Sequence, residues 1–160
     1  MISKISENVF QLYFDTFGST VYVLKLEKNI LIDTSSEDNR KELIKDLNEL
    51  KLNSKDINMI ILTHSHPDHT GNLELFKNAE IINSKNLNQL PKIIKPIKTS
   101  GHTKDSVCFL YKDILFSGDT IFHEEGRGRT DLPGGSEKQI QKSIEKLKKI
   151  EYNILCPGHV

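Results

Sequence analysis

A chain of 160 residues can bury a hydrophobic core, and its length favours one domain covering residues 1–160. Apolar residues make up 36% of the chain and charged residues 28%, as in ordinary globular proteins. Lysine plus arginine equals aspartate plus glutamate, at 22 each, so no net charge attracts nucleic acid or an anionic membrane. No apolar run reaches the ~18 residues of a membrane-spanning helix, and the N-terminus lacks a signal peptide's apolar core. We therefore expect a cytoplasmic protein.

Apolar periodicity predicts strands and helices along most of the chain. The predicted strands cover residues 9–14, 20–26, 30–32, 57–62, 80–82, 93–99, 106–111, 113–116 and 152–156. The predicted helices cover residues 37–52, residues 71–78 and a segment that Ser136 caps. Two hairpins are expected, one from 20–26 with 30–32 and one from 106–111 with 113–116. The lysine-rich segment 85–98 is predicted to be a solvated face or an edge strand.

Three histidines and an aspartate lie within six residues directly after a predicted strand. They are His64, His66, Asp68 and His69. Imidazole nitrogen and carboxylate oxygen suit a borderline divalent ion such as zinc. In extended backbone, side chains two residues apart point the same way, so His64 and His66 can bind one ion together. Pro67 then turns the chain, and this density of potential ligands predicts a metal site.

Three further candidates follow predicted strands through a glycine, in Gly101-His102, Gly118-Asp119 and Gly158-His159. Ligands that leave strand ends can converge at one rim of a sheet, and glycine permits close backbone approach there. Any one of these residues alone would be an ordinary turn residue. Together with the cluster they make five histidines and two aspartates, which predicts a metal centre. His123 lies in a polar loop and is expected to be exposed or to face a substrate.

The two cysteines, Cys108 and Cys156, both lie in apolar runs. We expect them to be small core residues of a protein in a reducing compartment. A disulfide or a metal thiolate stays open as an alternative, although no Cys-x-x-Cys pattern favours either.

Four segments resemble, in their order, the signature of the metallo-β-lactamase-fold hydrolases: THSHPDHTG, SGHTKDS, FSGDTIF and CPGH. Residues 30–34 match the strand ending in aspartate that opens the family pattern, and GRTDLPGG resembles the loop of the glyoxalase II-like (hydroxyacylglutathione hydrolase-like) branch. The resemblance implies an α+β fold, a four-layer αββα sandwich. This chain would be a minimal version of it without the C-terminal helical domain.

The resemblance also implies two divalent metal ions, most naturally zinc, with iron or manganese as alternatives. Matching positions assign the first metal to His64, His66 and His102. They assign the second metal to Asp68, His69 and His159, and the bridging position to Asp119. Asp33 is then either an outer support for the histidine loop or a plain helix-capping residue.

The function implied is hydrolysis of a small-molecule thioester or ester by a bridging hydroxide, with Asp68 also orienting the nucleophile. The main alternative is an oxidoreductase similar to the persulfide dioxygenases, which use a single iron. A metal-binding module without turnover and a homodimer stay open. β-Lactamase activity is disfavoured because Asp119 occupies the place of a cysteine or serine. Arg127 and Arg129 either meet an anionic substrate or, as we favour, form salt bridges that brace their loop, for instance with Asp131.

Overall fold

The computed structural model describes residues 1–160. Backbone contacts divide the chain into two compact units. The N-terminal unit comprises residues 1–62 and 66–82, and the C-terminal unit comprises residues 63–65 and 83–160. The chain thus passes between the units within the histidine cluster. The assignment of 1–160 to a single domain stays a prediction.

The N-terminal unit contains a six-stranded sheet whose strands lie in chain order. They are β1 (Ile2–Lys4), β2 (Val9–Leu12), β3 (Val21–Lys25), β4 (Asn29–Ile32), β5 (Met59–Ile61) and β6 (Glu80–Ile82). The first four strands pair antiparallel, and β4, β5 and β6 pair parallel. The hairpin of β3 and β4, in which Lys25 pairs with Asn29, confirms the first predicted hairpin. A parallel pair needs a crossover, and helix α1 (Arg40–Glu49) lies in the one between β4 and β5.

Helix α1 packs through leucines one turn apart. Leu43 and Leu47 are buried in the same hydrophobic cluster as Val23 and Ile60 of the sheet, as the helical spacing of apolar residues predicts. The predicted helix 37–52 is longer than the observed one, because it opens as a 3-10 turn over Glu37–Asn39 and ends at Glu49. Lys51 has a φ of 59°, which an α-helix cannot continue.

Two predictions for this unit are wrong. Strand β1 was not expected, since three residues are too few for a periodic pattern. In place of a helix over 71–78 there are a short helix α2 (Pro67–Thr70) and a 3-10 turn over Leu73–Leu75. The Asn72 side chain explains the difference. Its amide donates to the carbonyls of Thr34 and Ser36 at 2.8 and 2.6 Å, which ties this stretch to the segment before α1.

The C-terminal unit contains a four-stranded sheet in the order β10-β9-β8-β7. Its strands are β7 (Ile94–Lys98), β8 (Val107–Tyr111), β9 (Ile114–Gly118) and β10 (Ile154–Pro157). The antiparallel pair of β8 and β9 confirms the second predicted hairpin. β9 and β10 are parallel, and helix α3 (Glu137–Leu147) lies in the crossover between them. The Ser136 side chain caps α3 as predicted, since it accepts a hydrogen bond from the Gln139 amide.

Strand β7 lies at an edge of this sheet, which confirms the edge-strand prediction for the lysine-rich segment. Lys95, Pro96 and Lys98 are exposed on it. Proline lacks an amide donor and is tolerated at an edge, while exposed lysines discourage another strand from adding to the sheet.

The helices of both units are short. α3, the longest, has 11 residues. None of the helices is both long and apolar enough to cross a membrane.

Both cysteines are buried and neither forms a disulfide, as expected for core residues. Cys108 packs with Leu115 and Leu147 in the hydrophobic cluster of the C-terminal unit. Burial raises the pKa of the Cys108 thiol to about 11, although hydrogen bonds with Thr99 and Thr120 act in the opposite direction. The thiol therefore stays protonated in the folded protein well above neutral pH.

A loss of stability at alkaline pH is expected from this thiol. The unfolded thiol, with a pKa of 9.0, loses its proton first, while the folded thiol keeps it to about pH 11. The folded state therefore binds more protons in this window, and stability falls as the pH rises through it. Between pH 8.5 and 10.5 the loss should be about 2 kcal/mol. Urea unfolding of the wild type and of Cys108→Ala at both pH values measures it. An equal loss in the two proteins would contradict the assignment.

Candidate metal centre

Four of the seven predicted ligands belong to the C-terminal unit: His64, His102, Asp119 and His159. The Asp119 Oδ2 lies 3.5 Å from His102 Nε2 and 3.4 Å from His159 Nε2. The rings of His64 and His102 meet edge to face with their centroids 4.8 Å apart. Ligand atoms of His64 lie within 4.8 Å of those of His102 and of Asp119. The structure thus brings these four side chains together.

The parallel pairing of β9 and β10 explains why Asp119 and His159 meet. Each residue follows the C-terminal end of its strand, and neighbouring parallel strands end at the same edge of a sheet. Just before the two side chains, the Gly158 amide donates to the Gly118 carbonyl at 2.8 Å. Asp119 and His159 therefore converge at the ends of their strands, as the Gly118-Asp119 and Gly158-His159 pairs predicted.

His102 is held from two sides. The preceding Gly101 has a φ of 147°, and a Cβ there would overlap the backbone of Ile140 in α3. On the other side, His102 Nδ1 lies 2.7 Å from the carbonyl oxygen of Arg129. A carbonyl only accepts, so Nδ1 carries the proton and Nε2 keeps the lone pair. That Nε2 is the atom beside Asp119.

The two arginines of the glycine-rich loop form ion pairs. Arg127 pairs with Glu137 at 2.9 Å, and Arg129 binds both carboxylate oxygens of Asp131 at 2.6 and 2.7 Å. Hydrogen bonds from these guanidinium groups lower the pKa of Glu137 and of Asp131 to about 2. The contacts agree with the favoured interpretation that both arginines brace the loop. The contact of His102 with the Arg129 carbonyl was missed, because a main-chain acceptor leaves no signal in residue types.

The other three predicted ligands, His66, Asp68 and His69, belong to the N-terminal unit. His69 is fully buried, and its Nε2 lies 3.8 Å from Asp68 Oδ2. His69 Nδ1 lies 2.7 Å from Asp33 Oδ2. A carboxylate accepts, so Nδ1 donates this hydrogen bond and Nε2 keeps the lone pair on the side of Asp68.

The structure decides between the two interpretations of Asp33. The first helical turn after it begins at Glu37 with Ser36 as its N-cap, so Asp33 caps no helix. Asp33 is instead buried against His69, with a φ of 59° that aspartate and asparagine tolerate better than most residues. Its carboxylate therefore fixes the tautomer and the orientation of His69.

Replacement of Asp33 by alanine should destabilise the protein by about 1–3 kcal/mol, because the buried His69 Nδ1 loses its acceptor. Asp33→Asn should cost less, since an amide oxygen still accepts and asparagine tolerates the positive φ. Urea unfolding of the metal-free variants measures both losses. Equal losses for alanine and asparagine would show that this hydrogen bond contributes nothing.

His66 is the first residue of the N-terminal unit after the chain leaves residues 63–65. It has extended backbone, with φ −65° and ψ 146°, and is the N-cap of α2. Pro67 is the first residue of α2, and the chain turns there as predicted.

The donor set fits a divalent metal. It consists of five imidazoles and two carboxylates, and contacts of Nδ1 leave Nε2 of His69 and of His102 available as a donor atom. Nitrogen and oxygen donors of this kind suit zinc, iron and manganese. His123, excluded from the set by its position in a loop, is exposed as expected.

The sequence matches the model of the metallo-beta-lactamase superfamily over residues 14–86 and 83–159. A probable metallo-hydrolase of Methanocaldococcus jannaschii is 34% identical in a gapped alignment of 184 positions, which covers 89% of this chain and 88% of that protein. A probable polyketide biosynthesis zinc-dependent hydrolase of Bacillus velezensis is 34% identical in an alignment of 129 positions, which covers 65% of this chain and 57% of that protein. A hydroxyacylglutathione hydrolase of Idiomarina loihiensis is 33% identical in an alignment of 127 positions, which covers 67% of this chain and 49% of that protein.

Solved structures share the fold at lower identity. A subclass B3 metallo-beta-lactamase of Bradyrhizobium japonicum superposes with a TM-score of 0.78 at 18% identity, covering 99% of this chain and 77% of that one. ETHE1 from Myxococcus xanthus superposes with a TM-score of 0.73 at 24% identity, covering 94% of this chain and 74% of that one. A protein solved in a di-iron-bound form superposes with a TM-score of 0.77 at 21% identity, covering 94% of this chain and 92% of that one. The predicted α+β class and fold are thereby confirmed. The chain belongs to the metallo-beta-lactamase superfamily.

Proposed function

We propose that this protein is a metal-dependent hydrolase of thioester or ester bonds, similar to glyoxalase II, with two divalent ions in one centre. The proposed ligands are His64, His66 and His102 for the first ion, Asp68, His69 and His159 for the second, and Asp119 as the bridge. The position of Asp119 carries the proposal. One carboxylate oxygen lies 3.5 Å from His102 Nε2 and 3.4 Å from His159 Nε2. These histidines are assigned to different ions, so a carboxylate between them supports a bridging role.

Two relatives support this chemistry through what they are named for. One is a zinc-dependent hydrolase, which favours zinc as the metal. The other is a hydroxyacylglutathione hydrolase, which favours a thioester as the substrate. The fold is also found in a di-iron-bound form, so iron stays an alternative, as does manganese.

When bound, two divalent ions supply a water whose pKa falls from ~15.7 towards ~7 and polarise a carbonyl oxygen. The residues of the chain hold the metal ligands in place and orient the attacking water. Asp33 and the Arg129 carbonyl accept hydrogen bonds from Nδ1 of His69 and of His102, and so direct Nε2 of each ring towards a cation. The Asp68 side chain is 18% exposed while His69 beside it is fully buried, so Asp68 can meet a bound substrate. We assign it to orient the attacking water and to accept its proton.

Metal analysis combined with a substrate panel tests the proposal. Elemental analysis of protein purified without added metal should find two divalent ions per chain. A panel of acyl thioesters of glutathione, coenzyme A and simple thiols, with matched oxygen esters, should contain at least one that is hydrolysed. One iron per chain together with oxygen uptake would support the dioxygenase alternative and overturn the hydrolase. Full activity of Asp68→Asn would refute its assigned role.

We also propose a small-molecule substrate in the cytoplasm rather than nucleic acid or a membrane. The equal numbers of acidic and basic residues support this, since polyanion binding needs an excess of positive charge. Light scattering on the purified protein distinguishes a monomer from the homodimer left open above.

A further inference from the structure

A cavity of about 650 Å³ lies in the C-terminal unit between the loop after β9, helix α3 and strand β10. The partly exposed apolar side chains of its lining, called here the apolar groove, are Ile121, Phe122, Ile144, Ile150, Tyr152 and Leu155. The buried Leu147 and six polar side chains also line the cavity: His123, Glu124, Glu125, Arg127, Gln141 and Lys148. Cavities of ~300–1,000 Å³ are typical of small-molecule sites. None of the residues of the apolar groove is assigned to the metal centre.

The side chains of the apolar groove are all partly exposed. Grouped exposure of apolar surface favours a binding role, whereas single exposed apolar residues do not. The basic side chains on the rim are occupied, because Arg127 pairs with Glu137 at 2.9 Å and Lys148 pairs with Glu145 at 2.8 Å. The six apolar side chains are therefore the part of the cavity that suits an uncharged hydrocarbon chain.

One residue joins the apolar groove to the candidate metal centre. Phe122 lines the groove, and its ring meets the His159 ring edge to face with centroids 6.1 Å apart. The Phe122 amide donates a 2.7 Å hydrogen bond to the Gly126 carbonyl, which closes the loop that carries Phe122. One side chain of the groove thus lies beside a proposed ligand, and Leu155 of β10, Tyr152 and Ile150 line the same cavity.

We propose that the apolar groove binds the hydrocarbon chain of the acyl group, which makes medium-chain acyl thioesters or esters the substrate class. This inference rests on the proposed hydrolase function. The reacting carbonyl would lie at the His159 end, and the chain would displace water from the apolar side chains of the groove.

A chain-length series tests the proposal. Acetyl, butyryl, hexanoyl, octanoyl and decanoyl thioesters of one thiol are compared by kcat/KM. In the wild type we expect a rise of up to about fourfold for each methylene that is buried. Ile144→Trp should fill the groove and flatten the rise, while Ile144→Ala should shift the preference towards longer chains. Ile93→Trp alters an exposed isoleucine in the same unit, outside the groove, and should leave the profile unchanged.

A binding measurement separates failure of the groove from failure of the hydrolase. Isothermal titration with decanoate and with acetate needs no turnover, and decanoate should bind the wild type and Ile93→Trp but not Ile144→Trp. Binding of this kind without hydrolysis of any thioester would overturn the hydrolase and keep the groove as a site for an apolar chain. A flat chain-length profile in an active wild type, or decanoate binding that Ile144→Trp leaves intact, would overturn the groove.

Discussion

Asp119→Asn is expected to lower the metal content below two ions per chain and to reduce hydrolysis at least ~100-fold. This exceeds the ~10–100-fold loss that follows when a residue that only hydrogen-bonds to a metal ligand is replaced. The substitution keeps the size of the side chain but removes the negative charge that faces the Nε2 atoms of His102 and His159. A neutral amide cannot offer two anionic oxygens to two cations. Elemental analysis and the thioester panel measure the two effects.

Asp113→Asn is the matched control. Asp113 precedes β9 as Asp119 follows it, and its carboxylate accepts a 2.9 Å hydrogen bond from Asn153 at the opposite end of the strand. This variant should keep its metal and its turnover. Circular dichroism of the metal-free proteins shows whether Asp119→Asn is folded. A folded Asp119→Asn protein with two ions and full turnover would refute the bridging assignment.

Gly101→Ala is expected to cost about 3 kcal/mol or more of stability, in the range of severe backbone and packing defects. Two causes add. The φ of 147° is unfavourable for any residue with a Cβ, and that Cβ would overlap the backbone of Ile140. Ile140 is fully buried in α3, so it has no room to yield. The next residue, His102, should move with the backbone, so metal affinity should fall as well.

Gly134→Ala separates these causes. Gly134 also has a positive φ, of 90°, but a Cβ there would meet its nearest atom only at 3.8 Å. The Gly134→Ala variant should lose about 1–2 kcal/mol of stability, from backbone strain alone, and should keep its metal affinity. Urea unfolding and titration with a competing chelator measure the two variants side by side. An equal loss of stability in both would show that contact with Ile140 is not what restricts position 101.

Local patterns predicted most of the secondary structure. Both hairpins, the edge strand in the lysine-rich segment and the cap of α3 were predicted, because residues close in the chain produce them. The helix predicted over 71–78 failed where a long-range contact outweighed periodicity, since Asn72 bonds the backbone of Thr34 and Ser36 across 38 and 36 residues. Strand β1 is defined by its pairing with β2, in which Ile2 lies opposite Leu12. Its three residues are too few to show a periodic pattern of their own.

The sequence by itself determined which residues are candidates for metal binding. Few side chains bind divalent ions, and their spacing after strands and glycines is visible in one dimension. Only the tertiary structure decided how those side chains are held. Asp33 orients His69 across 36 residues, and the Arg129 carbonyl orients His102 across 27. The same holds for Phe122 beside His159. Such contacts depend on where the folded backbone places distant atoms, and no local pattern of residue types encodes them.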